Sequence, residues 1–336
     1  MFDLKFSVLL PTYNGAKVIE ETLKSLLSQG FDNFEVIVQD DASKDNIEEI
    51  IKAVNDKRIL FYKNTANLGY PKNLESLRKK ASGDIIFLLG QDDILATGAL
   101  MNTYKAFKIS EDIGAVTRPY YWFDKDVRIP VRAKGQLNKD KDEVVNITDE
   151  AGRVIKVFQT LDQLSGLALR KKYIDLPFHP DIFPCHVYPF ASIFKKYPIV
   201  FLKDYNLAVR ISSSQTRLIS SIYDKSPIQS WKDMFVSVFY EPEFKKIREE
   251  CIRNFVAVNY VGLVQIRNYA KFRYLLRETW YLVKYRWQNI FSLQFWFFSL
   301  GCLIMPSSLL IPLVDWYKEK INSRRLKGKA QCVSLS

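Results

Sequence analysis

Ile85-Ile86-Phe87-Leu88-Leu89-Gly90-Gln91-Asp92-Asp93 decides how this chain is read: five consecutive apolar residues run into a pair of carboxylates. The same arrangement stands upstream, where Phe34 to Val38 precedes Asp40-Asp41. Continuous apolar runs of this length mark strands buried on both faces, as in parallel sheets. Carboxylates at the C-terminal ends of neighbouring parallel strands converge on the crevice where open α/β sheets bind ligands. A carboxylate pair there can hold a divalent cation against a diphosphate, so a nucleotide is the expected ligand.

Outward from these doublets, strands and helices alternate over the first 115 residues or so. Phe6 to Leu10 is an apolar run ended by Pro11, and Val18, Ile19, Thr22, Leu23, Leu26 and Leu27 then recur at helical spacing up to Gly30. Ser43 is expected to cap a second helix with Ile47, Ile50, Ile51 and Val54 on its buried face. Arg58 to Tyr62 reads as a third strand, Pro71 opens a helix carrying Leu74 and Leu77, and Ser82-Gly83 closes it. Leu100, Met101, Tyr104 and Phe107 mark another helix, with Thr97 available to cap it, before a strand over Gly114 to Thr117. The expectation is an α/β fold with a mostly parallel central sheet flanked by helices.

Residues 124–150, rich in Lys, Asp and Glu, read as a mobile loop or small excursion. Further strands are expected at Gly166 to Leu169 and Ile199 to Leu202, with a short helix around Phe190 to Phe194. From Ser230 the pattern is helical. Ile290 to Val314 contains no charged residue and is followed by Lys318, Lys320, Arg324, Arg325, Lys327 and Lys329. That length can span a bilayer, yet Pro306 and Pro312 interrupt it and both flanks are basic. An interface-lying, membrane-associating element fits as well. The expected organisation is therefore 1–215 as the α/β domain, 216–289 as a helical region and 290–336 as an apolar then basic tail.

The 336 residues are 48% hydrophobic and 26% charged, which excludes disorder for most of the chain. A formal charge of +12 favours anionic partners. No helix-turn-helix, RNA-binding sheet motif or zinc module accompanies that charge, so nucleic acid is not expected among them. Cys185, Cys251, Cys302 and Cys332 are widely spaced, without a metal or disulfide pattern. The N-terminus carries no secretory pattern. The expected location is therefore the cytoplasmic side of a membrane, peripherally or by one embedded C-terminal segment.

Pro11-Thr12-Tyr13-Asn14, Gln39-Asp40-Asp41-Ala42-Ser43-Lys44-Asp45, Asn67-Leu68-Gly69 with Asn73, and Gly83-Asp84 leading to Gln91-Asp92-Asp93 occur in order along the chain. This set resembles the family 2 glycosyltransferases of GT-A fold, over roughly residues 5 to 215. The resemblance implies an inverting enzyme that moves a hexosyl or deoxyhexosyl group from a nucleoside diphosphate to an acceptor hydroxyl, using Mn²⁺ or Mg²⁺. It places the metal ligand at Asp93 and a contact to ribose or donor sugar at Asp92. It also places base recognition at Asp41, a base pocket at Pro11, Thr12 and Tyr13, a covering loop at Asn67 and Gly69, and a diphosphate contact at Lys72. Taken alone, Asp93 also reads as a helix cap, Asp41 as a turn residue, and Asn73 as a tie between loop and helix. Gln91 departs from the small or acidic residue common in the family.

Inverting transfer needs a carboxylate or imidazole within reach of the acceptor hydroxyl. The family's acidic pair aligns with Pro184-Cys185, where no carboxylate stands. His186 is the nearest competent group, with Asp181 second and Asp204 a distant third. Gln215 and Arg217 resemble an acceptor-side motif of processive members, but Leu218 replaces its Trp, so transfer of a single sugar is expected. The acceptor is expected to be a saccharide or lipid-linked precursor in surface polysaccharide or glycolipid assembly. The rival readings are a catalytically inactive nucleotide- or membrane-surface-binding protein of the same fold and, more remotely, a sugar-phosphate nucleotidyltransferase. Leu10 to Lys17 lacks the latter's Gly-rich, Arg-containing loop.

Overall fold

The computed structural model describes residues 2–213, 220–326 and 328. Its strands are β1 (Phe6–Thr12), β2 (Phe34–Asp40), β3 (Ile59–Lys63), β4 (Ile85–Leu88), β5 (Ile94–Leu95), β6 (Ala115–Thr117), β7 (Tyr121–Phe123), β8 (Pro130–Ala133), β9 (Glu143–Val145), β10 (Ala168–Arg170), β11 (Ile199–Phe201) and β12 (Leu207–Arg210). Eight of them form a sheet in the order β3-β2-β1-β4-β10-β6-β11-β9. Helices α1 (Ile19–Leu27), α2 (Ile47–Val54), α3 (Tyr70–Lys80) and α4 (Ala99–Phe107) connect its first half. β1, β2, β3 and β4 are mutually parallel, as the helical crossovers require.

The sheet as a whole is mixed: six of its eight strands share one direction, as expected of a mostly parallel sheet, while β10 runs antiparallel to both β4 and β6 and β9 antiparallel to β11. Of its two readings, the charged stretch 124–150 is the small excursion, with strands of its own, and not a mobile loop. It supplies β8 to a second, four-stranded sheet, β5-β12-β7-β8, and β9 to the edge of the main one. Short strands of this kind take their order from tertiary pairing, which overrides weak local propensity.

At the end of the sheet away from the carboxylates, Glu35 is 8% exposed and gathers Lys5 Nζ at 2.8 Å, Ser7 Oγ at 2.6 Å and the Ser82 amide at 2.8 Å. Burial alone would raise its pKa, but these donors bring it down to about 2. The network staples β1 to β2 and to the turn before β4. Gly83 completes it: a Cβ there would lie 2.6 Å from the Lys5 carbonyl oxygen.

On one face of the sheet, Leu9, Ile37, Ile86 and Leu169 belong to a hydrophobic cluster that continues through helices α5 (Ala151–Gln159), α6 (Val187–Lys196), α7 (Pro227–Val238) and α8 (Lys245–Asn254). The same cluster reaches α9 (Val261–Tyr269), α10 (Phe272–Tyr285), α11 (Leu293–Ile304) and α12 (Ser307–Trp316), ending at Phe295, Cys302 and Leu310. The apolar stretch 290–314 is broken at Met305-Pro306, and among the described residues no helix is long and apolar enough to cross a membrane. Cys185, Cys251 and Cys302 are buried and free. Lys327, Lys329, Cys332, Gln215 and Arg217 lie outside the described residues.

Gly83→Ala is expected to cost about 1–3 kcal/mol, because the clashing atoms are backbone and cannot rotate away. Gly30→Ala, where nothing lies within 4 Å of the new methyl, should leave the urea midpoint close to the parent's. Equal midpoints for the two variants would contradict the packing described for the staple.

Candidate active site

β4 ends at Leu88, and Gly90-Gln91 turns the chain so that Asp92 and Asp93 sit beneath the second sheet. Asp93 is 4% exposed. One carboxylate oxygen accepts the Ser165 hydroxyl and the other accepts the Arg210 amide at 3.0 Å. Ser165 is placed by the antiparallel pairing of β10 on β4, and its hydroxyl oxygen also accepts the Gly90 amide at 2.7 Å. Asp92 accepts the Ser213 hydroxyl on its side chain and Arg210 Nε at 3.2 Å on its carbonyl. The Arg210 guanidinium reaches on to Glu21 and lies 4.6 Å from the Phe123 ring centre. Residues 207–213 thus close over both aspartates.

Burial raises the pKa of Asp93, and the neighbouring Asp92 raises it further; burial also raises Asp92. Two adjacent carboxylates of like charge, Asp93 buried and Asp92 partly so, with unused lone pairs, fit a cation. Among the described residues no group of three or more His, Cys, Asp or Glu converges on one point. A cation here would therefore take its remaining ligands from phosphate oxygens and water, the usual arrangement for Mg²⁺.

Gln91 has a structural task that its departure from the family pattern did not reveal. Its side-chain oxygen accepts the Tyr13 amide at 2.9 Å and its nitrogen donates to the Tyr13 carbonyl at 3.3 Å. Any side chain at Gly15 would collide with that amide. The clamp fixes the loop after β1 against the loop after β4. Pro11 and Thr12 are buried at the end of β1, and the Thr12 hydroxyl is buried without a partner.

The β1 and β2 loops are also locked together, with the Asn14 amide donating to Ser43 Oγ at 2.8 Å and the Lys44 amide to Asn14 Oδ1 at 2.9 Å. Ser43 is consequently not the cap of α2. Its hydroxyl donates to Asp40, and Asn46 precedes the helix. Nor does Thr97 cap α4, which starts after Gly98 in a left-handed conformation.

Asp41 is 3% exposed and gathers the loop before α3: Asn64 Nδ2 at 2.8 Å, the Leu68 amide at 2.8 Å and the Gly69 amide at 2.9 Å. Gly69 has φ +82°, which favours glycine. Asn67 Oδ1 accepts the same Gly69 amide, and Asn73 donates to the Gln39 carbonyl at 2.9 Å. Lys72 is exposed in the first turn of α3. Pro11, Thr12, Tyr13, Asp41, Asn67 and Gly69 thus share the C-terminal edge of β1 and β2.

His186 and Asp181 are packed differently. His186 is 3% exposed; Nε2 faces the Leu161 carbonyl at 3.0 Å, a geometry that makes it the protonated nitrogen, while Nδ1 is buried without a partner. Burial pushes its pKa down to about 4, so the ring is neutral. Asp181 is 8% exposed and accepts Ser230 Oγ at 2.7 Å. Asp204 accepts Asn102 Nδ2 at 3.4 Å.

A carboxylate that the motifs do not mark, Asp162, retains 29% side-chain exposure. It stands three residues before Ser165, accepts the Tyr120 hydroxyl and pairs with Lys134 at 2.8 Å. Arg132 covers Trp122 at 4.3 Å beside it. Ser165, Arg210 and Ser213 escape sequence reading because they close on the aspartates only through β10 and β12, and Asp162 because its partners Tyr120 and Lys134 are far along the chain. Arg210-Ile211 followed by three serines after a short apolar run is the one local hint.

Residues 7–174, half of the chain, match Glycosyl transferase family 2, and the chain belongs to that family. A stretch of 99 residues is 34% identical to the GalNAc(5)-diNAcBac-PP-undecaprenol beta-1,3-glucosyltransferase of Campylobacter jejuni, covering 29% of this chain and 32% of that protein. The fold is similar to that of Staphylococcus aureus TarS 1-349 in complex with UDP-GlcNAc, with TM-score 0.62 and 18% identity over 97% of this chain and 91% of the other. It is also similar to the mannosyltransferase PcManGT of Pyrobaculum calidifontis in complex with GDP-Man and Mn²⁺, with TM-score 0.54 and 15% identity over 97% and 84%. Both solved structures support the GT-A type of architecture.

The raised pKa of Asp93 has a sign that can be tested on metal-free protein. The folded chain keeps a proton that the unfolded chain releases above about pH 4, so this group's contribution to stability falls as pH rises towards neutrality. Asp93→Asn, which carries no charge, should be more stable than the parent near pH 7, and the gap should close towards pH 4. A gap in melting temperature that does not change with pH would contradict this assignment.

Proposed function

We propose that this protein is an inverting glycosyltransferase that moves a single sugar from a nucleoside-diphosphate sugar to an acceptor hydroxyl, in surface polysaccharide or glycolipid assembly. The observation that carries the reading is the Asp92-Asp93 pair at the end of β4, with Asp93 buried and Asp92 partly so, clasped by Ser165 and by 207–213 in a fold of the GT-A type. Binding to a lipid-linked acceptor at the cytoplasmic face of a membrane is part of the same proposal. The undecaprenol-linked substrate in the Campylobacter relative's name supports it.

In this reading the nucleotide lies along the edge formed by Pro11, Thr12 and Tyr13, with Asp41 and the Asn67–Gly69 loop beside the base. A carboxylate there accepts the N3–H of uracil or thymine. Asp92 faces the ribose or donor sugar, Lys72 the diphosphate, and Asp93 holds Mn²⁺ or Mg²⁺. When bound, that cation neutralises charge on the departing diphosphate. Admission of the donor requires Ser213 and Arg210 to release the aspartates, so 207–213 must shift as the substrate enters.

Transfer requires a base that removes the acceptor's hydroxyl proton. The freed oxygen then attacks the anomeric carbon from the side opposite the diphosphate, which leaves with the bonding pair. His186 and Asp181 are the candidates the sequence supplies, and Asp162 joins them. Solvent access favours Asp162, since an acceptor cannot reach the buried Nδ1 of His186 without displacing its packing. Asp162→Asn should lower kcat by about 10²–10⁴-fold while leaving donor binding intact. Transfer in this variant within about twofold of the parent would place the base elsewhere, with His186→Ala and Asp181→Asn as the next variants.

A thermal-shift screen of nucleotide sugars with and without Mn²⁺ tests the whole assignment. A donor at a hundred times its dissociation constant should add about 2.7 kcal/mol of stability, in a metal-dependent manner that Asp93→Ala removes. No stabilisation by any nucleoside diphosphate would reject the nucleotide site. Stabilisation without transfer or hydrolysis of the donor would instead favour the catalytically inactive binding protein.

A further inference from the structure

The helices that follow the main sheet carry an apolar surface that is exposed among the described residues. Trp280, Trp287, Phe291, Leu293, Phe297 and Ile304 are 62%, 61%, 74%, 88%, 75% and 78% exposed. Each helix contributes a stripe at helical spacing, opposite a buried one. In α10 Phe272, Leu276 and Trp280 face outward while Tyr274, Leu275 and Leu282 face the core; in α11 Leu293, Phe297, Leu300 and Ile304 oppose Phe295, Ser299 and Cys302.

The stripes meet at both ends. Trp296 Nε1 donates to the Ile290 carbonyl at 2.8 Å, tying α11 to the turn that carries Trp287 and Phe291. Arg267 lies 5.4 Å from the Phe272 ring centre and donates to the Met305 carbonyl at 3.0 Å, joining the start of α10 to the end of α11. Monomeric soluble proteins rarely expose contiguous apolar patches of more than a few hundred Å².

The chemistry around the patch selects the partner. Residues 261–326 hold ten Lys and Arg against three Asp and Glu, and Lys271, Arg273, Lys284, Lys320, Arg324 and Arg325 are exposed. Trp and Phe beside exposed cations suit the headgroup layer, where aromatic rings settle and cations meet anionic phosphates. A second copy of this chain is disfavoured, because a self-complementary interface sets the same basic rim against itself. Spanning is also disfavoured: α11 has 12 residues, about 18 Å of helix, against a hydrocarbon core of about 30 Å.

We infer that α10, α11 and α12, with the turn at 287–291, form a monotopic docking surface for an anionic lipid bilayer. The surface is joined to the catalytic end of the molecule. After α12 the chain runs on through residues 317–322, and Asn322 Nδ2 donates to the Val131 carbonyl of β8 at 2.8 Å. β8 pairs with β7, whose Phe123 carries the Arg210 guanidinium and accepts the Ile211 amide at 3.0 Å. The C-terminal end of the docking helices therefore packs on the sheet whose strands close the mouth at 207–213. This names the surface behind the membrane part of the proposed function, and the docking itself does not depend on sugar transfer.

The test uses the full chain and vesicles of phosphatidylcholine, alone or mixed with phosphatidylglycerol. Co-flotation should be strong with the anionic vesicles and weak with the neutral ones, and should fall about tenfold or more in a Phe291→Glu, Phe297→Glu variant. Four of the six tryptophans, Trp280, Trp287, Trp296 and Trp316, lie in this region. Tryptophan emission should accordingly shift to the blue on binding and be quenched by brominated lipid. Donor-induced stabilisation of the variant shows that it is folded. Vesicle binding without sugar transfer upholds the surface and counts against the catalytic reading alone. Failure of the parent to bind anionic vesicles, binding that the double variant does not weaken, or a concentration-dependent dimer abolished by that variant in place of vesicle binding would overturn the inference.

Discussion

Two ionised carboxylates held side by side, one buried and one partly so, repel each other and lose solvation, so a chain that keeps them must supply compensation. Here it comes from three places far apart in sequence: Ser165 on the approach to β10, the backbone and side chain of Arg210 at the end of β12, and Ser213 just beyond. Arg210 is the one cation among them, and its guanidinium is shared with the Asp92 carbonyl and Glu21, while the closest donors to Asp93 are a hydroxyl and a neutral amide. The pair is thus held in geometry with its charge only partly compensated by Arg210, and Asp93 keeps a proton near neutrality that a bound cation would displace. That residual charge links the architecture to diphosphate chemistry, because it is relieved by a divalent cation whose other ligands arrive with the substrate.

The same logic explains why the second sheet exists. A parallel α/β half ending at β4 would leave Asp92 and Asp93 on an open rim. β5, β12, β7 and β8 roof that rim, and Arg210 reaches from the roof to Glu21 of α1. Asp41 works in parallel on the other side, holding the Leu68 and Gly69 amides so that the loop before α3 stays over the edge of β2. A role for Asp41 towards a base then draws on lone pairs left by three donors already present. Loop and ligand share one carboxylate.

Much of this was legible in the sequence, and the divide follows the range of the interactions. β1 to β4 and their helices have apolar runs and periodic faces long enough to declare themselves, and the aspartate doublets stand at their ends. β8, β9, β10 and β12 have three or four residues each and take their identity from strands far along the chain, so the strands within the charged stretch 124–150 and the antiparallel placement of β9 and β10 do not declare themselves in the sequence. Ser43 illustrates the same limit at one residue. Its composition suits a helix cap, while the fold uses it to join two loops. The apolar tail is legible in character but not in form, since only the break at Pro306 and the packing of Phe295, Cys302 and Leu310 show helices lying against the protein.

The most direct test of the central claim is the anomalous difference map of a crystal grown with uridine diphosphate and Mn²⁺, recorded near the manganese absorption edge. The account expects a peak within coordination distance of the Asp93 carboxylate, bridged to the diphosphate, with Ser213 withdrawn from Asp92. Ordered nucleotide with no manganese at Asp93, or manganese bound elsewhere with the 207–213 clasp still closed, would contradict it.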